Sequence, residues 1–354
     1  MSSQIQASEI ETQLPRRSRE YSHSDMSDYQ KQLWIRKLTQ TEGCYESPID
    51  ICLTRSKEIE LPPLEWINFE IPPKKIKITN TGQTIIFSAK WGQERPYLAS
   101  GPFLGKYVFS NWHLHWGAND MEGSEHSVDG TSYPAEMHVV TFKSCYLTQE
   151  AALKEQDGCA TLVYLFKLQD APNPAFQTIV DALLDVPKAG TSKKIEPSII
   201  TNLVKKFTSD YFMYWGSVST EKCVHYILWL ISRIPIAVSA EQIDSLRFIF
   251  DEKGNPLTRN FRDVNNQKRT VFHVNPSSSK YSTLLPFSNG SRDVVQLFRC
   301  ESDYNVEDAS ILQIGAKAFK NLDKSRETAS KSLSFNRAEE KGPAINLKKY
   351  IYSF

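Results

Sequence analysis

The chain has 354 residues, 40% hydrophobic and 23% charged, with a formal net charge of +1 at pH 7. That balance is ordinary for a globular protein and gives no electrostatic basis for nucleic acid or a membrane surface as the main partner. No stretch reaches the ~18 consecutive apolar residues of a membrane-spanning helix, so no transmembrane segment is expected.

Residues 1–33 are polar, of mixed charge and without periodicity, which predicts a flexible N-terminal arm. The opening 25 residues contain no apolar core of the kind a secretory signal needs. From Trp34 to about Asn275, short β-rich runs alternate with Gly, Pro, Asn and Asp. Strands are predicted at 76–79, 84–91, 106–116, 135–142, 159–168 and 223–231. Helical patterns are confined to 175–186 and 239–250, the second opened by Ser239 with Gln242 three residues on. Many strands with few short helices predict a β-dominated α+β domain. Residues 276–354 read as a largely disordered or loosely packed C-terminal extension; 309–322 is an amphipathic stretch suited to docking on the domain or on a protein partner. The six cysteines form no C-x-x-C pair, which together with the missing signal predicts reduced thiols and a cytoplasmic protein.

Within the predicted strands lies the pattern that carries chemistry. His113 and His115 are separated by one residue, and His138 follows 23 positions after His115. Side chains i and i+2 leave the same face of a strand. His113 and His115 therefore share a face with Asn111, while Trp112, Leu114 and Trp116 take the other; Glu136 and His138 repeat the arrangement. If the two strands pair, three imidazoles converge. Three neutral nitrogens suit Zn2+ and leave a fourth position for water, as in catalytic sites. Asn111 and Glu136, each two residues before a histidine, are placed to fix ring tautomers.

These residues resemble the α-class carbonic anhydrases. The core of the likeness is SNWHLHWG (110–117), GSEHSVDG (123–130) and AEMHVV (135–140), supported by ESPIDI (46–51), NTGQT (80–84), DGCATLVYLF (157–166), YWGSVSTEKC (214–223), PIAVSAEQ (235–242) and NFRDVNNQKR (260–269). It covers roughly residues 34–275. The resemblance implies a single domain on a large, mostly antiparallel twisted sheet with a few short peripheral helices. It implies zinc on His113, His115 and His138, and reversible hydration of carbon dioxide to bicarbonate and a proton by a zinc-bound hydroxide. It further implies that Ser219 aims that hydroxide while donating its own hydrogen to Glu125. His126 would be a structural histidine beside the carboxylate. Val140, Thr161, Val218, Ile227 and Trp229 would form the wall that holds CO2.

Several positions depart from the family pattern. The proton-shuttle position holds Gln83, which does not titrate near neutrality, so proton release is expected to be slow without buffer. Serine at 219 replaces threonine, removing χ1 stiffness. Glu221-Lys222 replaces two prolines, the second preceded by a cis bond; without proline a cis bond costs ~3 kcal/mol, so an all-trans loop on an altered path is expected. Thr161 puts a hydroxyl among the apolar wall residues, and Glu46 replaces glutamine. Cys223 stands where extracellular members carry half of a disulfide and Cys44 lies near the other half, so a bridge and two free thiols are both open. The sequence thus predicts a zinc lyase of moderate or low turnover; the alternative is a zinc-containing interaction protein with weak or no catalysis.

Overall fold

The computed structural model describes residues 46–197, 202–203, 205–220, 223–265 and 269–277, with positions 219, 220, 223 and 224 described by backbone alone. Among these residues the chain forms β1 (Asp50–Ile51), β2 (Lys57–Ile59), β3 (Leu64–Ile67), β4 (Lys75–Asn80), β5 (Ile85–Lys90), β6 (Tyr97–Ser100), β7 (Tyr107–Trp116) and β8 (Ser127–Val128). The second half adds β9 (Ala135–Lys143), β10 (Cys159–Leu168), β11 (Ser192–Ile195), β12 (Tyr211–Thr220), β13 (Cys223–Ser232), β14 (Ile236–Val238) and β15 (Phe272–Val274). Thirteen strands form one sheet in the order β11-β4-β5-β7-β9-β10-β13-β12-β15-β2, with β3, β6 and β14 off that path, and β1 and β8 pair separately. Most ladders are antiparallel; β10–β13, β10–β14 and β15–β2 are the parallel pairs of the large sheet. The single-domain, β-dominated α+β architecture is as expected, and the six expected strands form within a residue or two of their expected ends.

The central strands are buried on both faces, which explains their near-continuous apolar runs. Trp112, Leu114 and Trp116 of β7, Met137 and Val139 of β9, and Leu228 and Leu230 of β13 share one core. Phe87 stacks on Trp112 with ring centroids 3.6 Å apart, anchoring β7 from behind. On the opposite face, Val163, Phe212, Tyr214, Trp229 and Ile231 form a second core. The histidine face of β7 and β9 looks toward this second side, so the strand that carries the ligands is fixed by apolar packing on its far face.

The helices are short. One spans Pro174–Leu183 and stops short of the end of the expected 175–186 pattern; Asn173 caps it and proline fills the first turn, where a missing N–H costs nothing. The expected 239–250 helix is divided into an α-helical turn, Ala240–Asp244, and a 3-10 segment, Ser245–Phe248, behind the expected Ser239–Gln242 capping box. No helix among the described residues is long and apolar enough to cross a membrane. The arm at 1–33, the 309–322 stretch and nearly all of 276–354 lie outside the described residues.

Candidate metal centre

Antiparallel pairing of β7 with β9 sets His113 directly opposite His138 and His115 opposite Glu136. A register irregularity between Phe109 and Asn111 brings Asn111 opposite Val140. The ring centroids of His113 and His115 lie 5.1 Å apart, those of His113 and His138 5.1 Å, and those of His115 and His138 4.6 Å. One ring nitrogen from each histidine lies within 4.8 Å of the others. The expected convergence is therefore present.

Hydrogen bonding settles which nitrogen each ring offers. His115 Nδ1 lies 3.1 Å from the Asn260 carbonyl oxygen. A carbonyl only accepts, so Nδ1 carries the proton and Nε2 keeps its lone pair. That Nε2 is buried with no hydrogen-bond partner. His138 Nε2 lies 2.5 Å from Glu136 Oε1 and donates to it, which leaves Nδ1 free. His113 Nδ1 faces Asn111 Oδ1 at 3.4 Å, and Asn111 turns its amide nitrogen toward Gln149 Oε1 at 3.3 Å. All three rings thus aim an acceptor nitrogen at a common point. Burial, aided by His138 and His115, pushes His113 well below the ordinary imidazole range, and burial brings His115 down to about 4. The neutral form that a metal requires is the form these surroundings favour.

Glu136 accepts three hydrogen bonds: from His138, from His126 Nδ1 at 2.7 Å and from the His126 backbone N–H at 2.7 Å. Burial alone would raise its carboxyl, but His126 and His138 hold it well below the usual carboxylate range. Because Nδ1 of His126 donates, its Nε2 accepts from the Tyr214 hydroxyl at 2.6 Å. Both nitrogens of His126 are occupied, as expected of a structural histidine, though its carboxylate is Glu136 rather than Glu125.

Glu125 is fully buried in the loop between β7 and β8. Gly123 makes that loop possible: its φ is +150°, and a Cβ there would lie 2.0 Å from the Pro134 carbonyl oxygen. Arg262 grips the carboxylate at both oxygens, Nε to Oε1 at 2.8 Å and Nη2 to Oε2 at 2.5 Å, and its backbone N–H adds a third contact at 3.2 Å. Burial works against ionisation, yet the Arg262 guanidinium, with His115 adding to it, keeps Glu125 well below the usual carboxylate range.

A cavity opens on the three histidines, and Val140, Thr161, Val218, Ile227 and Trp229 line it together. Each of the five expected wall residues is thus brought to the same space. The Trp229 ring lies 5.1 Å from that of His138. Ser219 follows Val218 on β12, where its backbone pairs with Val224 of β13; its side chain, like those at Cys44, Glu221, Lys222 and Cys223, lies outside the described residues. Gln83 sits in the turn between β4 and β5, its carbonyl held by Asn260 at 3.0 Å, and does not line the cavity. Glu46 is exposed, accepts from Asn265 at 2.6 Å and does not line the cavity. Cys52, Cys145 and Cys159 are free thiols.

A eukaryotic-type carbonic anhydrase family model matches residues 29–275. The chain belongs to the eukaryotic-type carbonic anhydrase family. Among its relatives, carbonic anhydrase 3 of Bos taurus is 34% identical over 240 residues, covering 65% of this chain and 88% of the relative. Carbonic anhydrase 3 of Homo sapiens is 32% identical over 241 residues, with the same coverage of 65% and 88%. Carbonic anhydrase 6 of Mus musculus is 27% identical over 264 residues, 72% of this chain and 81% of the relative.

Within this carbonic anhydrase domain, three side chains that sequence reasoning left without a role hold the site together. Arg262 fixes Glu125. Asn260 ties the end of β7, accepting from Trp116 N–H at 2.7 Å, donating to the Leu114 carbonyl at 2.9 Å and offering its own carbonyl to His115. Gln149 lines the cavity and also accepts from Ser110, steadying Asn111. The first two lie in the NFRDVNNQKR segment, whose polar, strandless character was the one available signal.

Proposed function

We propose that this chain catalyses the reversible hydration of CO2 to bicarbonate and a proton, with zinc held by His113 Nε2, His115 Nε2 and His138 Nδ1. Membership of the carbonic anhydrase family supports CO2 hydration in general. The observation that carries the finer reading is the buried, unpartnered Nε2 of His115, next to two other ring nitrogens whose partners leave them as acceptors. An orphaned buried acceptor costs ~1–3 kcal/mol, a cost that a cation removes. A zinc ion bound there supplies Lewis acidity that, as known for carbonic anhydrases, lowers the pKa of water to about 7 and makes hydroxide available at neutral pH.

The chain's own residues supply orientation and exclusion of water. Glu125, kept anionic by Arg262, accepts the hydrogen of a neighbouring hydroxyl, for which Ser219 is the assigned donor. A hydroxyl committed to a carboxylate has only lone pairs left to offer. It then accepts the hydrogen of the attacking water and leaves that water's own lone pair for the carbon. Val140, Val218, Ile227 and Trp229 exclude water around the apolar substrate, while Thr161 adds one hydroxyl to that wall. Asn111 and Glu136 hold the His113 and His138 tautomers.

Stopped-flow CO2 hydration on metal-analysed protein tests the proposal. Hydration well above background at one zinc per chain is expected. Stoichiometric zinc with background hydration would leave instead the zinc-containing interaction protein, which shares the metal site but not the turnover.

A further inference from the structure

Each hydration releases a proton, and few groups around the cavity are free to receive it. The three zinc-site imidazoles are committed to the metal, Arg262 is paired with Glu125, and burial pushes the Cys159 thiol up to about 12. Gln83 does not titrate near neutrality.

His225 is differently placed. Alternation along β13 gives residues 225, 227 and 229 one face, and Ile227 and Trp229 line the cavity. Across the ladder His225 is paired with Val218, another lining residue; opposed residues on antiparallel strands stand side by side with Cβ atoms ~5 Å apart. A fourth lining residue, Leu153, presents its carbonyl oxygen 2.8 Å from His225 Nδ1. The carbonyl must accept, so Nδ1 bears the ring hydrogen and Nε2 is an open acceptor. The side chain is only partly buried.

We propose that His225 receives the proton released in each hydration and passes it to solvent at the rim of the cavity; this rests on the reading of the site as a CO2 hydratase. His225 does not itself line the cavity and stands two residues before Ile227, ~7 Å along an extended strand, so transfer runs through intervening water. The proton adds to the Nε2 lone pair, giving an imidazolium. Loss of that same proton to bulk buffer returns the neutral ring, with Nδ1–H still donating to Leu153. Around it, Val218 is apolar, and the turn after Leu153 carries Lys154, Glu155 and Asp157, the last already bound to Lys143 and Tyr146.

The test uses zinc-loaded full-length protein with His225→Ala and His225→Gln. Glutamine can still donate to the Leu153 carbonyl but cannot carry a proton. Both variants are expected to lose kcat by roughly tenfold in millimolar buffer, within the range for general acid–base groups, while kcat/KM holds and added imidazole restores kcat. A second readout does not depend on turnover: diethylpyrocarbonate should modify His225 in metal-free and zinc-loaded protein alike. Recovery of kcat in His225→Gln would assign the residue a structural role. Wild-type kcat in both variants at every buffer strength, or an unreactive His225, would also overturn the proposal. Failure of the hydratase reading is recognised separately, as a zinc-loaded wild type without hydration.

Discussion

Around the three imidazoles Glu136, Glu125 and Asn260 have fixed partners, whereas Gln83, at the proton-shuttle position, has a buried side-chain oxygen without one. Glu136 accepts three donors, Glu125 is clamped by Arg262, and Asn260 joins β7 to a distant loop through four hydrogen bonds or more, all at buried or half-buried positions. In contrast, Gln83 sits in a turn off the cavity, and β12 passes to β13 through a two-residue connection at 221–222. The departures from the family pattern fall mainly in this second region. The lesson is that metal binding and turnover are separable here: the first is over-determined by a hydrogen-bonded frame, and the second depends on positions where the frame is thin.

Breaking the frame gives the largest effect. Glu125→Gln removes the anion and leaves Arg262 uncompensated; breaking one side of a buried pair costs ~3–5 kcal/mol. Chemical denaturation should register this, with hydration lost in parallel.

Acid attacks the same region. Burial holds His115 at about 4 in the folded chain, against an ordinary imidazole value of 6.5. Between those values the unfolded chain binds a proton that the native chain refuses, so stability falls as pH drops from 6.5 toward 4. At 1.36 kcal/mol per pKa unit this is roughly 3 kcal/mol for metal-free protein. Glu125 and Glu136, both depressed, add a further loss below about pH 4.5, as their native carboxylates are forced to protonate. Melting temperature across pH 7 to 4 measures the sum; a flat profile would mean that the frame is looser than described.

A gentler break is Glu136→Gln. Metal-site partners of this type are worth ~10–100-fold in metal affinity, and a competition titration with a zinc chelator should find that drop. The smallest effect belongs to the thin side: Gln83→His should raise kcat a few-fold at low buffer and leave zinc affinity untouched. Full turnover without buffer in the wild type would remove the need for any added base.

Much of the metal site was legible because strand alternation is local. His113, His115 and His138, with Asn111 and Glu136, follow from a period of two and one pairing, and nearby apolar residues define the far face. Arg262 and Asn260 were not legible in that way. Their partners lie 137 to 177 residues away, and no periodic pattern marks a loop that folds back onto a strand. Short strands such as β2, β14 and β15 were missed for a related reason, since three residues are too few for alternation to register. The helix expected over 239–250 was overextended because its periodicity continues into the 3-10 turn.

A three-imidazole centre with an open fourth position has a distinct signature in X-ray absorption at the zinc edge of the loaded protein. Three imidazole nitrogens at about 2.0–2.1 Å and one oxygen ligand without an imidazole outer shell are expected. Cys159 lines the same cavity, so a zinc–sulfur distance of about 2.3 Å, or a shell fitted by fewer than three imidazoles, would contradict it.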